Sequence, residues 1–117
     1  MISILVDESY AYDYLSILHI KGRNKNCADL RLSIELCYDS IAGQVGQQLH
    51  NTIILSEEYE NLLEANRETF EAVDKAKTDA VKASLIDALN YKRYLCKKDL
   101  QERFFECPQK EIKIGYV

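Results

Sequence analysis

Residues 40–56 (SIAGQVGQQLHNTIILS) contain no Asp, Glu, Lys or Arg, although these four residue types make up 29% of the chain. An uncharged stretch of this length indicates a segment that is covered, either by the protein's own core or by another molecule. A hydrophobic content of 47%, with one Pro and four Gly, favours long helices over a turn-rich β protein. The 117 residues have room for one domain, so we expect a single helical domain over residues 1–117.

The spacing of apolar residues predicts helices, because it follows a period near 3.6. The predicted helices cover about residues 7–21, 26–54, 57–77 and 84–107. Asn26, Ser56 and Ser84 are suitable N-caps, and Pro108 ends the last helix. The link between the third and fourth helices lacks Gly and Pro, so one continuous helix is an open alternative. The predicted fold class is all-α, a small antiparallel four-helix bundle-like domain.

The two ends of the chain differ from its middle. Residues 2–6 (ISILV) are β-prone, and the C-terminal tail, residues 109–117, alternates apolar and polar residues in EIKIGYV. In an up-and-down bundle the first helix begins where the fourth ends, so these short β-type segments can pair as a two-stranded ribbon. A ribbon of two strands is marginally stable, so a frayed tail is the alternative.

Charge and composition argue against several classes of partner. A net charge of −4 and a pI near 5.2 give no basic footprint for nucleic acid. The fully apolar runs are too short to cross a membrane, and the start of the chain lacks the features of a signal peptide, so we expect a cytoplasmic protein. The four cysteines fit buried free thiols of a reducing compartment. No Glu-x-x-His motif or zinc-ligand spacing occurs, so no metal or cofactor is predicted.

Polar residues that interrupt the apolar seams are the candidate ligand-binding residues. Asn66 lies near the middle of the third helix's apolar face, Lys92 lies on the face of the fourth helix, and Asp13 lies on that of the first. A buried Asn can fix helix register, and a Lys can reach outward to solvent. The functional alternative is a polar pocket in which Lys92 holds an anionic group, Asn66 orients it, and Tyr10 and Tyr14 form the walls. No catalytic residue is predicted.

The second helix is apolar on two opposite sides. Its second, thinner stripe consists of Leu32, Leu36, Gly43, His50 and Ile54. A helix that is apolar on two sides is normally covered on two sides. Gly43 and Gly46 each cost roughly 0.8–1 kcal/mol relative to Ala within a helix, which indicates close packing or a bend. The predicted interface between copies consists of Gly43, Val45, Gly46, Leu49, His50 and Ile54.

These observations predict a small cytoplasmic protein–protein interaction module that self-associates and has no catalytic activity. A homo-oligomer is expected, with a dimer favoured, because charge depletion with a neutral polar rim is typical of an interface core. One alternative is a small-molecule-binding or enzymatic helical bundle with an anion-binding core pocket. A second alternative is an adaptor- or antitoxin-like protein that folds against a different protein partner.

Overall fold

The computed structural model describes Ile2 and residues 4–25 and 27–105. The described residues form five helices: α1 (Glu8–Asn24), α2 (Ala28–Val45), α3 (Gln47–Ile54), α4 (Glu57–Ala76) and α5 (Ala83–Phe105). The all-helical class is therefore confirmed for this part of the chain, which contains no strand. Its assignment to the four-helix bundles stays a prediction. The cap at Asn26, the stop at Pro108 and the tail 109–117 lie outside the described residues, so ribbon pairing also stays a prediction.

The predicted second helix is two helices, α2 and α3, which meet at Gly46. Gly46 has φ 101°, a backbone conformation that costs glycine little and residues with a Cβ considerably more. Its N–H donates to Ala42 O and its carbonyl accepts from His50 N, both at 2.9 Å, so α2 ends and α3 begins on the same residue. Of the two expectations for the glycines, a bend therefore holds at Gly46. Gly43 lies on the exposed surface of α2, where an added Cβ would meet no atom within 4 Å.

α4 begins at Glu57, directly after the predicted N-cap Ser56. Ser56 Oγ accepts a hydrogen bond from Tyr59 N at 3.1 Å, and Glu57 and Glu58 follow in the first turn. Acidic residues at this end interact favourably with the helix dipole. α4 ends at Ala76 and α5 begins at Ala83, so the alternative of one continuous helix is wrong.

α5 packs antiparallel against α4. The order of the cross-helix contacts establishes the direction, because residues later in α4 contact residues earlier in α5. These pairs are Glu58–Arg103, Asn61–Cys96 and Glu68–Lys92. α1 contacts α2, α4 and α5, and α4 contacts α1, α3 and α5.

The core lies where α1 meets the other helices. Its fully buried large apolar side chains are Tyr12, Leu15, Ile53, Leu62 and Leu100. Because these residues come from α1, α3, α4 and α5, the core forms only when distant parts of the chain meet. Among the helices of the described residues, none combines the length and the apolar character that crossing a bilayer requires.

Candidate functional site

A buried polar cluster joins α1, α4 and α5. Asn66 Nδ2 donates to Asp13 Oδ1 at 2.8 Å and to Ser16 Oγ at 2.6 Å. Arg93 Nη2 donates to Asp13 Oδ2 at 3.2 Å, which pairs the two charges. Asp13, Ser16 and Asn66 are all buried. We call Asp13, Ser16, Asn66 and Arg93 the polar cluster.

The helix period explains how the polar cluster is assembled. Asp13 and Ser16 are three residues apart, so both point from α1 in the same direction. Ser16 Oγ donates its proton to Asp13 O at 2.7 Å, which leaves the hydroxyl oxygen free to accept from Asn66. Each carboxylate oxygen of Asp13 accepts from a different helix. The polar cluster thus joins three helices through hydrogen bonds to both carboxylate oxygens of Asp13, while Arg93 Nε is buried without a partner.

The structure brings together only two of the five predicted ligand-binding residues, Asp13 and Asn66. Lys92 Nζ lies 3.1 and 3.2 Å from the two carboxylate oxygens of Glu68, in an ion pair on the surface. Arg93 takes the predicted place of Lys92, because one residue turns the side chain by about 100° around a helix. Tyr10 and Tyr14 are 41% and 54% exposed, so they stand outside the core and do not form pocket walls.

Sequence reasoning missed Arg93, although a signal for it was present. Arg93 lies four residues after Leu89 and seven before Leu100, so helical spacing places it on the same face as both. An arginine at such a position requires a buried acid, and Asp13 was already a candidate. The pairing between them depends on contacts between residues 80 positions apart, which no local pattern reveals.

A second buried group surrounds His50. The Oη of Tyr12 and the Nδ1 of His50 are 2.8 Å apart, and the two rings stack at a centroid distance of 5.7 Å. Tyr38 meets the His50 ring edge-on at 4.3 Å, and Tyr59 meets the Tyr12 ring edge-on at 6.1 Å. Burial raises the pKa of Tyr12 and of Tyr59 and lowers the pKa of His50. We call Tyr12, Tyr38, His50 and Tyr59 the aromatic cluster.

Most of the predicted interface residues pack inside this chain. His50 is fully buried, and Val45, Leu49 and Ile54 pack against the core. The physical reason is the bend at Gly46, which lets the apolar side of α3 face the aromatic cluster and the core. His50 is therefore covered within this chain and the other three side chains are partly covered, whereas Gly43 and Gly46 of the predicted set are exposed. Association of two copies through the full set stays a prediction.

The part of the second stripe that lies on α2 remains exposed. Leu32 and Leu36 are 54% and 58% exposed, one helical turn apart. Gly43 lies seven residues after Leu36, so helical spacing places it on the same side. We call Leu32, Leu36 and Gly43 the outer face of α2. Ile41 and Ala42, the buried residues of this helix, lie on its other side and face the core.

The remaining features of the described residues offer little chemistry. An open cleft of 610 Å³ between the end of α4 and the start of α5 is lined by apolar residues together with Glu68, Glu71, Lys75 and Lys82. No group of three or more His, Cys, Asp or Glu residues in the described part of the chain could hold a metal ion. Comparison of the chain with known protein families, with curated proteins and with solved structures finds no match.

Proposed function

We propose that this protein is a small interaction module that self-associates through the outer face of α2, without catalytic activity. The occupant of that face is a second copy of the chain, related by a two-fold axis so that each copy contributes the same residues. The free thiols of Cys27, Cys37 and Cys96 support a cytoplasmic location as part of this proposal.

Gly43 is the observation that carries the proposal. A glycine in a helix interior costs about 1 kcal/mol relative to Ala, and the fold of one chain gives no reason for that cost here. An added Cβ at Gly43 would meet no atom within 4 Å, and its φ is not positive. On the same side of α2, about two and three helical turns before Gly43, Leu36 and Leu32 expose more than half of their surface. A second helix packed on this face explains both features, because the missing side chain permits close approach and the leucines become covered.

The size of the outer face predicts a weak dimer. Burying one leucine side chain completely stabilises a complex by about 1.5–3 kcal/mol, and a two-fold axis brings four leucines together. Association costs on the order of 4–15 kcal/mol in lost translational and rotational freedom. The difference between the free energy gained by burying the leucines and the cost of association corresponds to a dissociation constant of about micromolar or higher. Such a value is typical of small transient interfaces.

The hydrogen bonds of the polar cluster argue against the alternative of an anion-binding core pocket. Both carboxylate oxygens of Asp13 accept hydrogen bonds, and Lys92 pairs with Glu68 on the surface. An anionic ligand would have to displace the carboxylate of Asp13 from Arg93. The adaptor-like alternative, in which a different protein covers the outer face, differs from the proposal in one respect, since it requires no self-association.

The test compares two leucine-to-glutamate variants of equal chemistry. Leu36→Glu places a charge on the outer face, whereas Leu55→Glu places it on a residue 87% exposed between α3 and α4. We expect Leu36→Glu to be monomeric at concentrations at which the parent and Leu55→Glu dimerise, measured by light scattering after size-exclusion chromatography. Gly43→Leu should also prevent dimerisation, because its side chain occupies the space of the partner helix.

Each outcome of this comparison is decisive. If Leu36→Glu and Gly43→Leu dimerise as strongly as the parent, the outer face of α2 is not the interface. If the parent is a monomer throughout, self-association is excluded. The adaptor-like alternative, in which a different protein covers the outer face of α2, then replaces the proposal. Circular dichroism at 222 nm provides the control that each variant remains folded.

A further inference from the structure

We propose that α3 is an acid-sensitive latch, in which protonation of His50 releases α3 from the aromatic cluster and exposes the apolar side of the helix. This latch lies within one chain and works in a monomer as well as in a dimer. His50 is fully buried and is the polar anchor of α3, the shortest helix in the described residues.

The rings that contact His50 are aromatic and uncharged near neutral pH, whereas the charged groups Arg23 and Glu60 act on Tyr59, one ring further away. Tyr12 reaches it from α1 and Tyr38 from α2, and Tyr59 of α4 lies on Tyr12. Cys37, the other titratable group of α2 beside this cluster, has its pKa raised by burial and stays neutral as well. Burial is the cause that lowers the pKa of His50. The contacts described for the ring therefore provide no negative charge that would stabilise an imidazolium.

The hydrogen bonding of His50 suits the neutral ring. When Tyr12 Oη donates to Nδ1, the proton of the neutral ring lies on Nε2, a buried atom without a hydrogen-bond partner. The charged ring carries a proton on both nitrogens, so Nδ1 can no longer accept from Tyr12. Cation–π attraction to the Tyr12 and Tyr38 rings offsets only part of the cost of desolvating the charge. Protonation of His50 in place is therefore unfavourable.

Loss of the His50 contacts should release α3 as a whole, because few other buried residues hold this short helix in place. The helix has eight residues, and only His50 and Ile53 are buried. An isolated helix of this length is not stable in water, so its packing against the rest of the protein holds it together. Gly46, at φ 101°, precedes it, and Leu55, 87% exposed, follows it. Release of His50 would carry Ile53 out of the core, together with the half-buried Leu49 and Ile54.

The direction of the pH effect follows from proton linkage. In the released state His50 is solvated and titrates near its ordinary pKa of about 6.5, whereas its pKa in the docked state is lower. The released state thus binds more protons, so docking is fully stable above about pH 6.5 and weakens below it. The equilibrium constant for release rises by at most about tenfold for each pH unit between these two pKa values.

Hydrogen–deuterium exchange at about pH 7.5 and about pH 5.5, corrected for the intrinsic exchange rates, measures this release directly. We expect exchange of residues 47–54 to rise by up to about tenfold between the two conditions, while that of residues 57–76 changes little. The matched variants replace each of the two histidines: His50→Gln should abolish the pH dependence, and His19→Gln should retain it. Equal corrected exchange of 47–54 at both pH values in the parent would overturn the proposal, as would an unchanged pH dependence in His50→Gln.

A second variant keeps the proposal testable if His50→Gln does not fold. Tyr12→Phe preserves the ring and His50 but removes the hydrogen bond to Nδ1, so the neutral form of His50 loses its partner. We expect the corrected exchange of residues 47–54 at about pH 7.5 to be faster than in the parent, because the docked neutral ring is less stable, while that of residues 57–76 changes little. Exchange of residues 47–54 at the parent's rate at that pH would show that the Tyr12–His50 hydrogen bond does not hold the latch, and would overturn the mechanism.

Discussion

Replacing Asn66 with Ala tests whether the polar cluster holds the helices together. The substitution removes two hydrogen bonds, of 2.8 and 2.6 Å, and leaves Asp13 Oδ1 and Ser16 Oγ buried without their donor. A buried polar atom that loses its partner costs about 1–3 kcal/mol. We therefore expect Asn66→Ala to lower the free energy of unfolding by about 2–4 kcal/mol, a large share of the stability of a domain of this size.

The matched control is Asn61→Ala, on the same helix. The Asn61 side chain is exposed, so its removal leaves no buried atom unpaired. Both substitutions gain the same helix propensity, so their difference isolates the polar cluster. Urea unfolding followed by circular dichroism at 222 nm gives both values. If Asn66→Ala and Asn61→Ala are equally stable, the polar cluster does not stabilise the fold and the reasoning is refuted.

Three further predictions concern the backbone and the thiols. Gly46→Ala should lower the free energy of unfolding by about 1–3 kcal/mol, because φ 101° strains a residue with a Cβ; unchanged urea unfolding would contradict the bend. Gly43→Ala should instead raise the stability of the monomer by up to about 1 kcal/mol in the same assay, and a loss would mean that the fold of one chain needs the glycine. Cys27 should react with iodoacetamide at neutral pH faster than Cys96, because the backbone N–H of Leu30 lowers the pKa of the exposed Cys27 thiol, whereas burial raises that of Cys96. Equal rates in peptide mapping would show that the two thiols do not differ in this way.

Helical periodicity predicted which regions are helical, because this signal is local, but it predicted one helix where α2 and α3 are two. Of the predicted caps, Ser56 is correct, whereas Ser84 is wrong because α5 begins at Ala83. Ser56 and the acids after it predicted the start of α4, and the observed helix begins at Glu57. The bend at Gly46 is harder to predict from the sequence, since a glycine in an apolar stripe is compatible with close packing as well as with a bend. The choice between them depends on where α3 finds its core contacts, which are made with residues far away in sequence.

The candidate site was predicted in part, for a similar reason. Asn66 and Asp13 are candidates because each interrupts an apolar seam. In the structure Asn66 Nδ2 lies 2.8 Å from Asp13 Oδ1. Their partner Arg93 was missed in favour of Lys92, because a spacing argument cannot resolve one position on a helix whose neighbours are unknown. The apolar stripe predicts His50 on a surface between copies because the stripe continues through Gly46 in the sequence, whereas the chain bends at that residue.

The mass of the protein in solution shows whether two copies of the chain associate. Sedimentation equilibrium from about 1 µM to about 1 mM covers the range in which an interface of this size associates. We expect a mass that rises from the 13.5 kDa of one chain towards twice that value as concentration increases. A mass that stays at 13.5 kDa over the whole range would contradict self-association through the outer face of α2.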